Sequence, residues 1–190
     1  MSSHAKYSLW LCPAVGSSAQ TQLSEIITGK AAALGAPIFS PHTTLFSPVH
    51  ASSDSDALAQ VREYVAKLGV ELGKDTLRAG IPFRANKVAT GGKYHQCVLL
   101  EEQGNAVLVL ANGIARQHWN ARGQPAFYPH VSLVYGDFEG PMREEIAAEI
   151  SSNLPEDIEQ LSFFAPQINV VRTTGPCEEW RDIGTIRLSK

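Results

Sequence analysis

The sequence predicts an α+β fold, and two observations lead there. Amphipathic helical stretches and short alternating strands follow one another in mixed order, without the regular β-α alternation of a doubly wound sheet. One five-residue pattern also occurs twice, each time opening a predicted strand: Pro41-His42-Thr43-Thr44-Leu45 and Pro129-His130-Val131-Ser132-Leu133. Nearly half the chain separates the two copies. They therefore suggest a pseudo-symmetric pair of half-sites rather than a tandem repeat. With 190 residues, 44% of them hydrophobic, the chain suffices for a single domain with a sizeable core. No linker or low-complexity tract divides it.

The elements follow in order. Residues 6–12 alternate and predict a first strand. Ser17 or Ser18 caps a helix that runs to Leu34, with Leu23, Ile26, Ile27, Ala31 and Leu34 on one face and Gly35 and Pro37 beyond its end. Residues 42–49 predict a second strand. After a polar loop, Asp54 or Ser55 caps a helix whose apolar stripe is Leu58, Val61, Val65, Leu68 and Leu72. Residues 83–91 and 94–102 predict two strands joined about Gly91-Gly92, and a helix spans about 103–119 despite Gly104 and Gly113. The strand 129–135 follows, then a helix over 140–153 with Met142, Ile146, Ile150 and Leu154 on one side. Residues 166–174 and 179–188 close the chain as two further strands.

Charge and cysteine usage narrow the function. A net charge of −3 gives no basic face for a long nucleic acid, while a small anionic ligand needs only a few local donors. Cys12, Cys97 and Cys177 are odd in number, far apart and in no CxxC or Cys/His cluster. That spacing argues against structural zinc and for reduced thiols in an intracellular protein, with Cys97 in the core. No apolar run approaches membrane-spanning length, and the apolar stretch after Met1 is too short for a signal peptide.

The duplicated pattern carries the chemistry. On a strand, side chains two apart share a face, so His130 and Ser132 point one way, and His42 and Thr44 likewise. Two histidines facing each other across a cleft can divide acid and base duties, because imidazole titrates near neutrality. The two hydroxyls can donate to the non-bridging oxygens of a phosphate. This arrangement suits in-line displacement at phosphorus by water and calls for no metal and no cofactor. A third His-x-Ser, at His50-Ala51-Ser52, lies in an expected polar loop and is taken as a chance match. His4, His95 and His118 are expected to be structural or at the surface. Lys87 and Lys93 are expected to be solvated, and Gly91-Gly92 to be a turn.

The chain resembles the 2H phosphoesterase superfamily, named for two His-x-Ser/Thr motifs, and within it the plant and fungal cyclic nucleotide phosphodiesterases. "YSLWL" (7–11) is similar to their N-terminal strand with its cleft-edge tryptophan, here Trp10. "GGKYHQCVLL" (91–100) is similar to their central strand, and "HVSLVYG" (130–136) carries their tyrosine five residues after the second His, here Tyr135. The resemblance implies one catalytic domain over 1–190 built of two pseudo-symmetric lobes, with antiparallel sheets lining a central cleft and helices outside. It implies His42 and His130 as catalytic residues, Thr44, Ser132 and Tyr135 on the phosphate, and Trp10 as a base-stacking platform. The implied reactions are ADP-ribose 1″,2″-cyclic phosphate to ADP-ribose 1″-phosphate, the former being a by-product of tRNA splicing, and nucleoside 2′,3′-cyclic phosphates to 2′-phosphates. A small nucleotide is the expected partner, with no long nucleic acid, no membrane, a monomeric chain and a cytoplasmic location, or a Golgi-associated one as for some fungal relatives.

Two features depart from the pattern. Under strict alternation Tyr135 has the wrong parity for the His130 face, so the strand must bend or bulge, or the tyrosine must reach in from its end. Plant members carry disulfides, and the three cysteines here are not arranged to reproduce them. Two other activities compete with cyclic phosphate hydrolysis: phosphodiester cleavage at RNA ends or in 2′–5′ oligonucleotides, and phosphate binding without catalysis.

Overall fold

Residues 5–189 are described by a computed structural model. Strand β1 (Ala5–Leu11) leads into helix α1 (Ser18–Leu34), whose N-cap is Ser17, accepting from the Gln20 N–H, and whose C-cap is Gly35 in the left-handed conformation. Then come β2 (Thr43–Ala51), α2 (Asp54–Glu71), α3 (Lys74–Ala79), β3 (Ile81–Phe83), β4 (Ala85–Thr90) and β5 (Val98–Glu102). The chain finishes with α4 (Ala106–His118), β6 (His130–Val134), α5 (Gly140–Ser152), β7 (Phe163–Ala165), β8 (Gln167–Arg172) and β9 (Arg181–Arg187).

Seven strands form one antiparallel sheet in the order β4-β5-β6-β2-β1-β8-β9, and β3 pairs with β7 in a small second sheet. The large sheet is two half-sheets, β4-β5-β6 and β2-β1-β8-β9. A single residue pair, Thr43 opposite Val131, joins them. Helices α1 and α5 pack on the first half-sheet, α2 and α4 on the second. Each half therefore covers one face with two helices and leaves the other for the site. The core between helices and sheet includes Leu9, Leu23, Leu45, Tyr64, Leu100 and Val131, all fully buried. Burial of such side chains, each worth roughly 1.5–3 kcal/mol, holds both layers together.

The expected α+β architecture stands, with local corrections. The helix expected to be capped by Asp54 or Ser55 is capped by Ser53, which accepts from the Asp56 N–H at 3.1 Å. The helix expected from about 103 starts at Ala106, because Asn105 accepts from the N–H groups of Val107 and Leu108. The strand expected over 94–102 begins only at Val98, since Tyr94–Gln96 form a 3-10 turn. The strand expected over 83–91 is shorter, running only over β4, Ala85–Thr90. Helix α3 and strands β3 and β7 were not expected: elements of six and three residues are too short to show a period. Met142, expected on the packed side of α5, is 42% exposed. His50 lies within β2, next to its last residue Ala51, rather than in a loop, and its side chain is exposed. His4 lies outside the described residues. All three cysteines are free, with Cys97 buried in the core. Among the described residues no helix is long and apolar enough to cross a membrane.

Candidate active site

The pair that joins the half-sheets, Thr43 opposite Val131, is the middle position of both copies of the five-residue pattern. A local twofold relates the strands of an antiparallel pair, so the two copies are related by an axis through that pair. Thr43 and Val131 are fully buried on the core face. Alternation turns His42, Thr44, His130 and Ser132 to the opposite face, where all four line one cavity of about 430 Å³. Thr43 also donates from Oγ1 to the backbone oxygen of His130 at 2.5 Å, tying one copy to the other.

Alternation breaks at the same place in both copies. Trp10 of β1 stands opposite Thr44 and Leu9 opposite Phe46, so Leu45 is an extra residue. Leu99 of β5 stands opposite Ser132 and Val98 opposite Val134, so Leu133 is an extra residue. Each is a β-bulge at the final Leu of the pattern. Two consecutive residues then enter the core, Leu45 with Phe46 and Leu133 with Val134, all buried. The next residue returns to the cleft, and Ser47 and Tyr135 both line the cavity. The bulge at Leu133 thus gives Tyr135 the parity that strict alternation denies it. The carbonyl of bulged Leu45 is satisfied from α4, where Asn112 donates to it from Nδ2 at 2.7 Å.

The two imidazoles are held alike. His42 Nδ1 lies 2.7 Å from the Ser40 carbonyl oxygen, and His130 Nδ1 lies 2.7 Å from that of Tyr128, two residues back in each case. A carbonyl only accepts, so Nδ1 carries the hydrogen in both neutral rings and Nε2 is left for the cleft. The surroundings differ. His42 is 5% exposed and stacked on Trp10, ring centroids 3.6 Å apart and planes 11° apart. Burial pushes its pKa down to about 4; the Ser40 carbonyl opposes this, and nearby His130 adds to it. His130 is half-buried, and burial also lowers its pKa against the opposing Tyr128 carbonyl.

The remaining predicted site residues gather around this pair. Trp10 lines the cavity with one ring face covered by His42, and its Nε1 donates to Ser8 Oγ at 2.9 Å. Ser132 Oγ donates to the His95 carbonyl at 2.8 Å. Tyr135 stacks on Phe39 with centroids 3.8 Å apart. Burial, then Cys177, raises its phenol pKa against a hydrogen bond with Ser132, so it remains a neutral donor. Among the described residues, no group of three or more His, Cys, Asp or Glu is placed to hold a metal ion.

The model of the family described as "Cyclic phosphodiesterase-like protein" matches residues 5–188. The chain belongs to that family. As the duplicated motif led us to expect, it is a phosphodiesterase of the 2H phosphoesterase kind. The cyclic phosphodiesterase of Arabidopsis thaliana is 23% identical over 186 residues, covering 96% of this chain and 95% of that one. Among solved structures, apo LigT of E. coli superposes with a TM-score of 0.59 at 11% identity, over 98% of both chains. Usb1 of Kluyveromyces marxianus does so with a TM-score of 0.60 at 13% identity, over 99% of both. At such identities these two show a shared fold.

In this cyclic phosphodiesterase-like chain the cleft holds residues that sequence reasoning missed. His95, expected to be structural or at the surface, is exposed but lines the cavity. Its ring meets Tyr135 edge-on at 4.9 Å and stacks near Trp180 at 5.3 Å. Trp180 enters from the β8–β9 connection, which reaches the cleft only because β8 pairs with β1. Gly91 lets the turn carrying His95 pack closely, since a Cβ there would stand 2.2 Å from the Gln96 carbonyl oxygen. Its role is therefore more than the turn expected of it. Nothing local in the sequence marks Trp180. For His95, the signal was its place beside the Cys97 strand that the family resemblance had singled out.

Proposed function

We propose that this chain hydrolyses ADP-ribose 1″,2″-cyclic phosphate to ADP-ribose 1″-phosphate, and nucleoside 2′,3′-cyclic phosphates to 2′-phosphates, by two-histidine acid–base catalysis without a metal. One observation carries the reading. His42 and His130 stand in mirrored settings, each with Nδ1 held by the carbonyl two residues back at 2.7 Å, so both present Nε2 to one cavity. Thr44 and Ser132 stand beside them, and Tyr135 offers a phenol.

A neutral imidazole takes a proton from water as the water oxygen attacks phosphorus. The P–O bond opposite breaks, and the leaving ribose oxygen takes a proton from the other imidazole in its charged form. The two rings exchange protonation states and are reset through solvent. Burial breaks the symmetry of the roles. His42, under its Trp10 stack, stays neutral through the physiological range and suits the base; the less buried His130 suits the acid. Small anionic substrates fit a 430 Å³ cavity in a chain of net charge −3. The chain is proposed to act as a monomer in the cytoplasm.

The test is turnover of ADP-ribose 1″,2″-cyclic phosphate and 2′,3′-cyclic AMP with excess EDTA, products assigned by phosphorus NMR, alongside His42→Ala and His130→Ala. The expected result is EDTA-resistant formation of ADP-ribose 1″-phosphate and 2′-AMP, lost in both variants. Full activity in either variant would overturn the mechanism, and failure on both compounds would overturn the substrate assignment.

A further inference from the structure

The cavity has a second end. Alternation along β1 sends Tyr7, Leu9 and Leu11 into the core, where each is at most 1% exposed. It sends Lys6, Ser8 and Trp10 toward the cleft, and all three line the cavity. Trp10 stands by Thr44 and the histidines. Lys6 stands four residues away, about 13 Å along the strand, and its flexible four-carbon arm spans part of that gap. Thr173 lines the same end: its N–H donates to the Lys6 carbonyl at 2.9 Å, and its hydroxyl lies 3.5 Å from that oxygen.

The charge at this end is unbalanced. Among the described residues no Asp or Glu lines the cavity, although the chain is acidic overall. Lys6 is exposed and makes none of the ion pairs found among the described residues. The arginines nearby are engaged on the opposite face of the sheet, where Arg172 and Arg181 pair with Asp54 beside the Tyr7 hydroxyl. Among the described residues, Lys6 is the one Lys or Arg that lines the cavity.

We propose that Lys6, with Thr173, forms a second anion subsite that takes a phosphate attached through C5 of the same ribose whose cyclic phosphate sits between the histidines. This rests on the histidine pair holding the cyclic phosphate. The class of substrate favoured is then a ribose cyclic phosphate with a 5′-phosphate or 5′-diphosphate arm, over the bare nucleoside cyclic phosphate. An ammonium on an otherwise uncharged wall gives a charge-assisted contact to phosphate, and that contact supplies the discrimination.

Binding tests this without turnover. Adenosine 2′,5′-bisphosphate and 2′-AMP are titrated calorimetrically into the wild-type chain, Lys6→Gln and Lys6→Arg. The wild type is expected to bind the bisphosphate about tenfold more tightly, Lys6→Gln to erase most of that preference and Lys6→Arg to keep it. Raised salt should narrow the wild-type preference. Equal wild-type affinities, or a preference that survives in Lys6→Gln, would overturn the subsite. Turnover of 2′,3′-cyclic AMP with and without a 5′-phosphate is measured in parallel. Turnover without a binding preference removes the subsite and leaves the activity; a binding preference without turnover removes the activity and leaves the subsite.

Discussion

His42 should make the protein acid-sensitive in a defined window. Its ring is 5% exposed, and burial lowers its pKa from the ordinary 6.5 to about 4. A group whose folded pKa is depressed in this way binds fewer protons folded than unfolded. Stability therefore rises with pH through the interval between the two values and falls as pH drops from about 6.5 toward 4. At pH 7 both states leave the ring largely neutral and the effect is near zero. At pH 5 the unfolded chain holds the proton and the folded chain does not, which costs about 2 kcal/mol. Below pH 4 the full gap, about 3 kcal/mol, is reached. Other depressed histidines act in the same direction, namely His130, His95 and His118. The assay is therefore a difference: urea unfolding of the wild type and His42→Gln at pH 7 and pH 5. The variant is expected to lose about 2 kcal/mol less than the wild type over that interval. Identical losses in the two proteins would refute the claim that His42 is buried in its neutral form.

Three further predictions follow from the same site. In the free enzyme, kcat/KM should be bell-shaped, rising through about pH 4 as His42 becomes neutral and falling again as rising pH takes the proton from His130, whose pKa burial holds under the ordinary 6.5; an optimum above pH 7 in the measured profile would contradict it. Thr43→Val removes the Oγ1 donor to the His130 carbonyl while keeping shape, so it should cost about 1 kcal/mol in urea unfolding and lower kcat without touching substrate. Unchanged kcat would mean that this bond does not position the second histidine. Asn112→Leu strands the bulged Leu45 carbonyl and the Arg116 Nε–H, so thermal or urea unfolding should show a loss of about 1–3 kcal/mol.

Much of the fold was legible because long amphipathic segments carry their own period. Helices α1, α2, α4 and α5 and the strands of the large sheet fall within a few residues of expectation. What failed was short or set by a partner. Strands β3 and β7 have three residues each and exist because they pair with each other across about 80 positions of chain. The Tyr94–Gln96 turn replaces the start of a strand where Gly91 admits a close backbone approach.

The site divides in the same way. A period of two is local, so the residues that share a strand face were readable in advance: His42 with Thr44, and His130 with Ser132. The duplication of these pairs was equally visible in the sequence. Tertiary structure alone decided that Thr43 meets Val131, which brings the two histidines to one cavity about a local twofold. Bulges at Leu45 and Leu133 are defined only against β1 and β5, and they turn Tyr135 back into the cleft. His95, Trp180 and Lys6 belong to the site because separate elements converge there. The burial that makes His42 unlike His130 is likewise a property of neighbours, Trp10 and Phe39, and no sequence motif encodes it. Identical motifs specify identical local geometry; packing from distant chain segments sets the dielectric around each ring, and with it the chemistry each can perform.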